Sequence, residues 1–224
     1  MHWYPWLRDR LVLELRSVEP SAPTLCEGWT AAHLAAHVYL REHRPWRATS
    51  SGVSTLAAAS ADPASYARLV DEVAQPPGRL SPHSWAGDAI DLAELFIHGE
   101  DVRRGAGRPA ERDLPEGLVA ALRDRIGFFA RLTYRRSPVG VLLVDPDGRR
   151  FVARRARSGQ GSVAVRGRVE ELVLHASGRG RASDVALHGS DDDVAAFVSA
   201  VPGAQGRADD PGPADDGPQG DRSP

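Results

Sequence analysis

The stretches that decide the fold are WTAAHLAAH at residues 29–37 and ELFIH at residues 94–98. Both have the apolar character of helices that pack in a core, yet each carries side chains that can bind a metal ion. Glu94 and His98 are four positions apart, so they share one face of a helix. His37 can approach the same point from a facing helix. The sequence therefore predicts a metal site with three protein ligands, His37, Glu94 and His98, between two helices of a bundle.

Three protein ligands leave one coordination position open, as in catalytic zinc sites, whereas structural zinc sites are usually closed by four ligands. A carboxylate and two imidazoles suit Zn²⁺, which we expect, and also Ni²⁺, Fe²⁺ or Mn²⁺. Two features leave an alternative open. His33 adds a histidine one turn before His37, nearer the edge of the helix face, and Arg41 points toward the same face, where it could pair with Glu94 instead of a metal ion.

Other side chains are candidates for supporting roles. Asp101 lies three positions after His98, where a carboxylate could orient a metal-bound imidazole. Arg41 and Arg179 are candidate contacts for an anionic substrate, since a guanidinium binds carboxylates well. The alternatives are a solvated ion pair for Arg41 and an exposed turn for Arg179. Cys26 is the single cysteine, so it forms no disulfide within this chain, and it is either a small buried residue or a reactive thiol.

Helical periodicity and capping signals predict a helix bundle over residues 1–136. Five helices are expected, at 3–17, from the His37 segment to Pro45, at 62–75, from the Glu94 segment to Gly105, and at 115–134. Residues 62–63 are Asp-Pro, a cap residue followed by proline at the first helical position. The first domain is thus mainly α.

After residue 136 the pattern changes to short β-type runs. Strands are predicted at 139–144, 150–153, 162–165 and 185–188, with helices at 170–176 and 191–201. The sequence DPDG at residues 145–148 is typical of a hairpin turn. We therefore expect a small α+β domain over residues 137–202. Residues 203–224 contain no aliphatic side chain larger than alanine, which predicts a disordered tail.

These runs bear a family resemblance. TLCEGWT at residues 24–30, LAAH at 34–37 and the Arg41 and Glu42 pair resemble the entry into the metal-bearing helix of the DinB-like bundle superfamily. ELFIHGEDVRR at residues 94–104 looks like the second metal helix of the mycothiol-dependent maleylpyruvate isomerase family within it. VAVRG at 163–167, ELVL at 171–174 and GR at 178–179 look like that family's small carboxy-terminal domain. The resemblance covers roughly residues 1–200; His175 departs from it, because the family often has an aromatic or apolar residue there.

The resemblance implies a DinB-like up-and-down helix bundle followed by a small α+β domain, with His37, Glu94 and His98 as the metal ligands. It also implies thiol chemistry, in which mycothiol is the cosubstrate and attacks a small electrophile. The reaction would be either isomerisation or S-transfer. Two other classes stay open at this point: a metal-dependent hydrolase that uses a metal-bound water, and a non-catalytic metal-binding or sensing protein.

The composition limits the kinds of molecule that this protein is expected to bind. The formal net charge of −2 offers no general attraction to nucleic acid or to an anionic membrane. The arginine pairs of the chain have no interleaved aromatic residues, so we expect no nucleic-acid binding. No apolar run approaches the length of a membrane span, and we expect a cytoplasmic protein that is a monomer or a homodimer. All 28 basic side chains are arginine, which is typical of a GC-rich genome.

Overall fold

The computed structural model describes residues 3–78, 88–108 and 113–208, with the backbone alone at 88–91 and 207–208. The helices of the first part are α1 (Trp3–Arg16), α2 (Ala31–His43), α3 (Ser50–Ala59), α4 (Pro63–Ala74), α5 (Asp88–Gly105) and α6 (Glu116–Thr133). The second part contains β1 (Gly140–Val144), β2 (Arg150–Arg154), β3 (Ser162–Arg166), α7 (Val169–Ala176), β4 (Ala186–His188), α8 (Asp191–Ala200) and β5 (Arg207–Ala208). Short 3-10 turns lie at Pro45–Arg47, Tyr134–Arg136 and Gly180–Ala182.

The bundle is organised around α1, which packs along α5 and also touches α4. Its apolar face carries Leu7, Leu11 and Leu15, one helical turn apart and fully buried. Helix α2 packs against α3 and α4 and reaches α5, so the two helices that carry the predicted metal ligands face each other. This arrangement confirms the predicted helical first part.

Helix α3 is not among the predicted helices. Its start is set by Thr49, whose side chain accepts a hydrogen bond from the Gly52 amide. Only Val53 and Ala57 are buried along it, so its apolar stripe is too narrow to stand out from the sequence. In contrast, α4 has the predicted start, because Asp62 accepts hydrogen bonds from the amides of residues 64 and 65.

The second part is built on a five-stranded mixed sheet in the order β2-β1-β3-β4-β5. β1 pairs with β2 as the predicted antiparallel hairpin and with β3 in parallel. The hairpin turn uses Gly148 at a φ of 76°, a left-handed conformation that favours glycine. The helix α7 is buried over its whole length and packs against α6, which also contacts β2, so α6 connects the bundle to the second part.

The closing segment of the chain belongs to this sheet as far as it is described. Ala204 is buried, and β5 pairs in parallel with β4. The tail predicted from residue 203 onward therefore includes one strand of the sheet, β5, and the buried Ala204, because pairing and close packing order a segment that has no large apolar side chain. The remainder of that tail, residues 209–224, lies outside the described residues, and the division of the chain at residue 136 stays a prediction. Within the described ranges, no helix is both long and apolar enough to span a bilayer.

Candidate metal centre

The three predicted ligands meet between α2 and α5. The donor atoms of His37, Glu94 and His98 all lie within 4.8 Å of one another, and the rings of the two histidines have their centroids 5.2 Å apart. Ligand atoms on a tetrahedral zinc ion are about 3.3 Å apart, given metal–ligand distances near 2 Å. Shifts of about 1.5 Å would therefore bring the three donors into a coordination shell.

The space between the ligands is small. The cavity measures about 10 Å³, which is roughly the room that one water molecule or ion needs. Its lining consists of both histidines, Glu94, Arg41, Glu42, Val38 and Leu95. A centre of this size can hold a single ion.

His37 is in the protonation state that a metal requires. Burial, the neighbouring His98 and the Arg41 guanidinium together lower its pKa to about 4. The imidazole is therefore neutral at neutral pH and keeps a lone pair for a metal ion. The Trp29 ring packs against it at 5.2 Å between centroids and helps to hold its orientation. The donor set thus fits a divalent cation.

Arg41 competes for one of the ligands. Its guanidinium forms an ion pair with the Glu94 carboxylate, and both side chains are only partly exposed, at 23 and 28 %. This is the pairing that the sequence left open as an alternative to a metal site. A metal ion at this centre would share the Glu94 carboxylate with Arg41.

Asp101 lies behind His98, on the side away from the cavity. Its side chain is fully buried, and its Oδ2 atom is 3.0 Å from the His98 Nδ1 atom. The other ring nitrogen of His98, Nε2, lies 3.9 Å from the Glu94 Oε2 atom, on the cavity side. Burial by itself would raise the pKa of Asp101, but the hydrogen bonds from His98 and Arg179 outweigh it and hold the pKa at about 2. Asp101 is therefore a carboxylate, and it accepts from His98.

Arg179 and Cys26 reach the same carboxylate from distant segments. Arg179 donates from Nε to Oδ1 of Asp101 at 3.0 Å and from Nη2 to Oδ2 at 2.8 Å. The Cys26 thiol donates to Oδ2 at 3.2 Å. Burial and the Asp101 charge raise the pKa of Cys26 to about 11. Cys26 is thus a protonated thiol at neutral pH, and its geometry favours the interpretation as a small packed residue over a reactive one.

The two remaining histidines singled out by the sequence do not line the cavity. His33 Nδ1 lies 2.9 Å from the Thr30 hydroxyl and closes the capping box at the start of α2. His175 is fully buried, with its Nδ1 atom 2.6 Å from the hydroxyl of Tyr134. Burial lowers the pKa of His175 to about 4, so it is a neutral core residue. His175 therefore contributes to the protein core and does not line the cavity.

The joint contact of Cys26 and Arg179 with Asp101 is the part of the centre that sequence reasoning missed. These two residues are 153 positions apart and lie 3.4 Å from each other through Arg179 Nη2 and the sulfur. No periodicity within one helix or strand could reveal such a contact.

Taken together, the fold and this centre define a helical protein with a small α+β part and a candidate three-ligand metal site between two helices. Among solved structures the chain is similar to the mycothiol-dependent maleylpyruvate isomerase and to a histidine-to-alanine mutant of that enzyme, each with a TM-score of 0.53. Each is 19% identical, and each match covers 84% of this chain and 90% of that one. This likeness shows a common fold. No family model matches the chain, and no curated protein matches it by sequence.

Proposed function

We propose that this protein is a metal-dependent thiol S-transferase or isomerase that binds one divalent ion, Zn²⁺, through His37, Glu94 and His98. The thiol is mycothiol, and the second substrate is a small electrophile. The convergence of three donor atoms on one small cavity carries the metal part of the proposal. The fold shared with a mycothiol-dependent isomerase supports the thiol part.

The residues of the centre suit this chemistry. A bound divalent ion would stabilise the anionic form of a thiol and so supply a nucleophile at neutral pH. His37 stays neutral because of its low pKa, and Asp101 orients His98 from behind. The lining side chains Val38 and Leu95 keep the cavity narrow and partly apolar, which favours charge stabilisation by the ligands over bulk water.

Arg41 is the proposed substrate contact. It lines the cavity together with the three ligands. Its guanidinium can hold an anionic group of the substrate next to the thiol. Arg179 is a weaker candidate for this role, because its guanidinium already donates to Asp101.

The two thiol reactions share their first step, in which the thiolate adds to an electrophilic carbon of the substrate. If the carbon–sulfur bond then breaks again after rotation about the former double bond, the result is a cis–trans isomer and the thiol is recovered. If the bond stays and the carbanion takes up a proton, the product is a thioether. Three protein ligands leave one coordination position open, which a water molecule could take, so the second candidate is a metal-dependent hydrolase that uses a metal-bound water as the nucleophile.

A cobalt-substituted sample of the full chain tests the proposal. On titration with mycothiol, we expect an intense sulfur-to-cobalt absorption band in the near ultraviolet that saturates at one thiol per protein. His37→Ala, Glu94→Ala and His98→Ala should each lose the metal on elemental analysis. His33→Ala is the matched control, since His33 lies on the same helix but caps it, and it should retain the metal.

Other outcomes have distinct meanings. Full metal retention in the three ligand variants would reject the ligand set. An unchanged spectrum at saturating thiol would remove both thiol reactions, and turnover without thiol would then favour the hydrolase. Tight metal binding without any turnover would leave a metal-binding or sensing protein.

A further inference from the structure

Arg179 is hydrogen-bonded through each of its nitrogen atoms. Besides the two bonds to Asp101, its Nη1 atom donates to the carbonyl oxygen of Ser177 at 2.6 Å. The guanidinium therefore forms the bidentate fork that arginine makes with carboxylates. A side chain held in this way is poorly placed to swing toward a substrate.

The carboxylate that Arg179 holds is itself directed at a metal ligand. The two parallel N–H groups of Arg179 pair with Asp101 as a carboxylate, which only accepts hydrogen bonds, so the proton between Asp101 and His98 sits on the His98 Nδ1 atom. That assignment leaves the Nε2 lone pair on the cavity side, where Glu94 and His37 lie. A chain of contacts thus runs from Arg179 through Asp101 to the nitrogen that would bind the ion.

The α+β part makes a second contact with the same stretch of α5. Arg104 donates to both carboxylate oxygens of Glu171, at 3.0 and 2.6 Å, and to Glu100 at 2.7 Å. Arg179 and Glu171 both belong to the second part of the chain, and Asp101 and Arg104 are one helical turn apart. Two ion pairs therefore fix the α+β part against the half of α5 that follows His98.

From these contacts we infer that Arg179 is a positioning residue for the metal centre: it holds Asp101 so that Asp101 fixes the tautomer and the direction of the His98 ring. This role rests on the proposed function, because it assumes that His98 binds a metal ion. It means that a residue of the α+β part helps to form the metal centre of the bundle. It differs from a substrate contact, since Arg179 acts on the metal ligand His98 through Asp101.

The test compares Arg179→Met, Asp101→Asn and the double variant in the full chain. One readout is the pair of ¹⁵N shifts of the His98 ring in histidine-labelled, metal-free protein, assigned by comparison with His98→Gln. The other is the Zn²⁺ dissociation constant, measured by competition with a chromophoric chelator. Arg181→Met is the matched control, because Arg181 lies in the same turn and is exposed.

We expect the wild-type His98 ring to be protonated on Nδ1 alone and the Asp101→Asn ring to be a mixture of tautomers. Asp101→Asn should weaken Zn²⁺ binding by about 10–100-fold, the usual effect of losing such a partner of a ligand. Arg179→Met should move both readouts in the same direction, by about tenfold in affinity. The double variant should bind no more weakly than Asp101→Asn, because both substitutions break one chain of contacts.

If Arg179→Met does not fold, Arg179→Lys replaces it, since lysine keeps the charge beside Asp101 but cannot form two parallel bonds. It should shift both readouts less than methionine does. The positioning role would be overturned if the Arg179 variants kept the wild-type tautomer of His98 and the wild-type Zn²⁺ affinity. In that case only the Michaelis constant of a substrate would be raised. Failure of the proposed function looks different: the wild type would bind no divalent ion, while the His98 shifts would still respond to Arg179.

Discussion

At the scale of single residues, the centre depends on what Glu94 contacts. Arg41 pairs with the Glu94 carboxylate, and the proposed ion needs a ligand atom from the same group. The Arg41 guanidinium and the metal ion are both cations, so Arg41 competes with the metal ion for the Glu94 carboxylate. An ion pair that is partly exposed contributes about 1 kcal/mol or less, so the competition should weaken metal binding without preventing it.

Replacing Arg41 by glutamine should therefore strengthen Zn²⁺ binding. Loss of a competing contact worth about 1 kcal/mol corresponds to roughly a fivefold lower dissociation constant, measurable by chelator competition. Arg44→Gln is the control, because Arg44 is exposed just beyond the end of α2, and its affinity should equal that of the wild type. Weaker binding in Arg41→Gln would show that Arg41 supports the centre instead of competing for it.

At the scale of secondary-structure elements, a buried polar cluster holds α1 against α2 and α4. Arg8 is only 3% exposed, and its Nη2 atom lies 2.8 Å from the Glu42 Oε2 atom. Tyr4 donates to the other oxygen of Glu42 at 2.9 Å. Arg8 Nη1 also donates to the carbonyl oxygen of Val73 near the end of α4. Glu42 follows Arg41 and lines the cavity, so this cluster borders the candidate metal centre.

Arg8→Leu should lower the free energy of unfolding by about 3–5 kcal/mol, because it leaves the Glu42 charge buried without its cation. Urea unfolding of the two proteins measures the difference. On the same helix, Arg16 pairs with Asp71 at 2.7 Å, but both are more than half exposed. Arg16→Leu should therefore cost at most about 1 kcal/mol. Equal effects of the two substitutions would argue against a special role for the buried cluster.

At the scale of the whole molecule, the closing segment supports the turn that carries Arg179. Gly203 has a φ of 72°, and a Cβ atom added to it would come within 2.3 Å of the Gly178 carbonyl oxygen. A Cβ atom on Gly180 would come within 1.9 Å of the Gly203 carbonyl oxygen. Glycine at these positions lets two backbone segments touch. The segment around Gly203 thus packs directly against the turn that carries Arg179.

A chain that ends at Pro202 should accordingly be less stable than the full chain by about 1 kcal/mol or more, because it loses the buried Ala204 and the pairing of β5 with β4. Its Zn²⁺ affinity should also fall, through the loosened Arg179 turn. A chain that ends at Ala208 keeps both features and should match the full chain in urea unfolding and in chelator competition. Identical behaviour of the two shortened chains would contradict this view of the closing segment.

Much of this protein follows from local sequence patterns. The spacing of Glu94 and His98 puts them on one face of α5, the Asp62 cap starts α4, and the DPDG turn at residues 145–148 closes the hairpin of β1 and β2. Each of these features depends on residues fewer than about six positions apart, where helical and strand geometry is regular. The composition also separates the helical first part from the α+β second part.

Tertiary structure alone decided the rest. It brought Cys26 and Arg179 onto Asp101, tied Arg104 to Glu171, and added α3 and β5, whose short apolar patterns are too weak to be recognised. It also paired Arg41 with Glu94, an outcome that the sequence left open. Such contacts join segments up to 153 positions apart. Their existence depends on how whole elements pack, and packing is decided by the summed burial of many side chains and not by any local repeat.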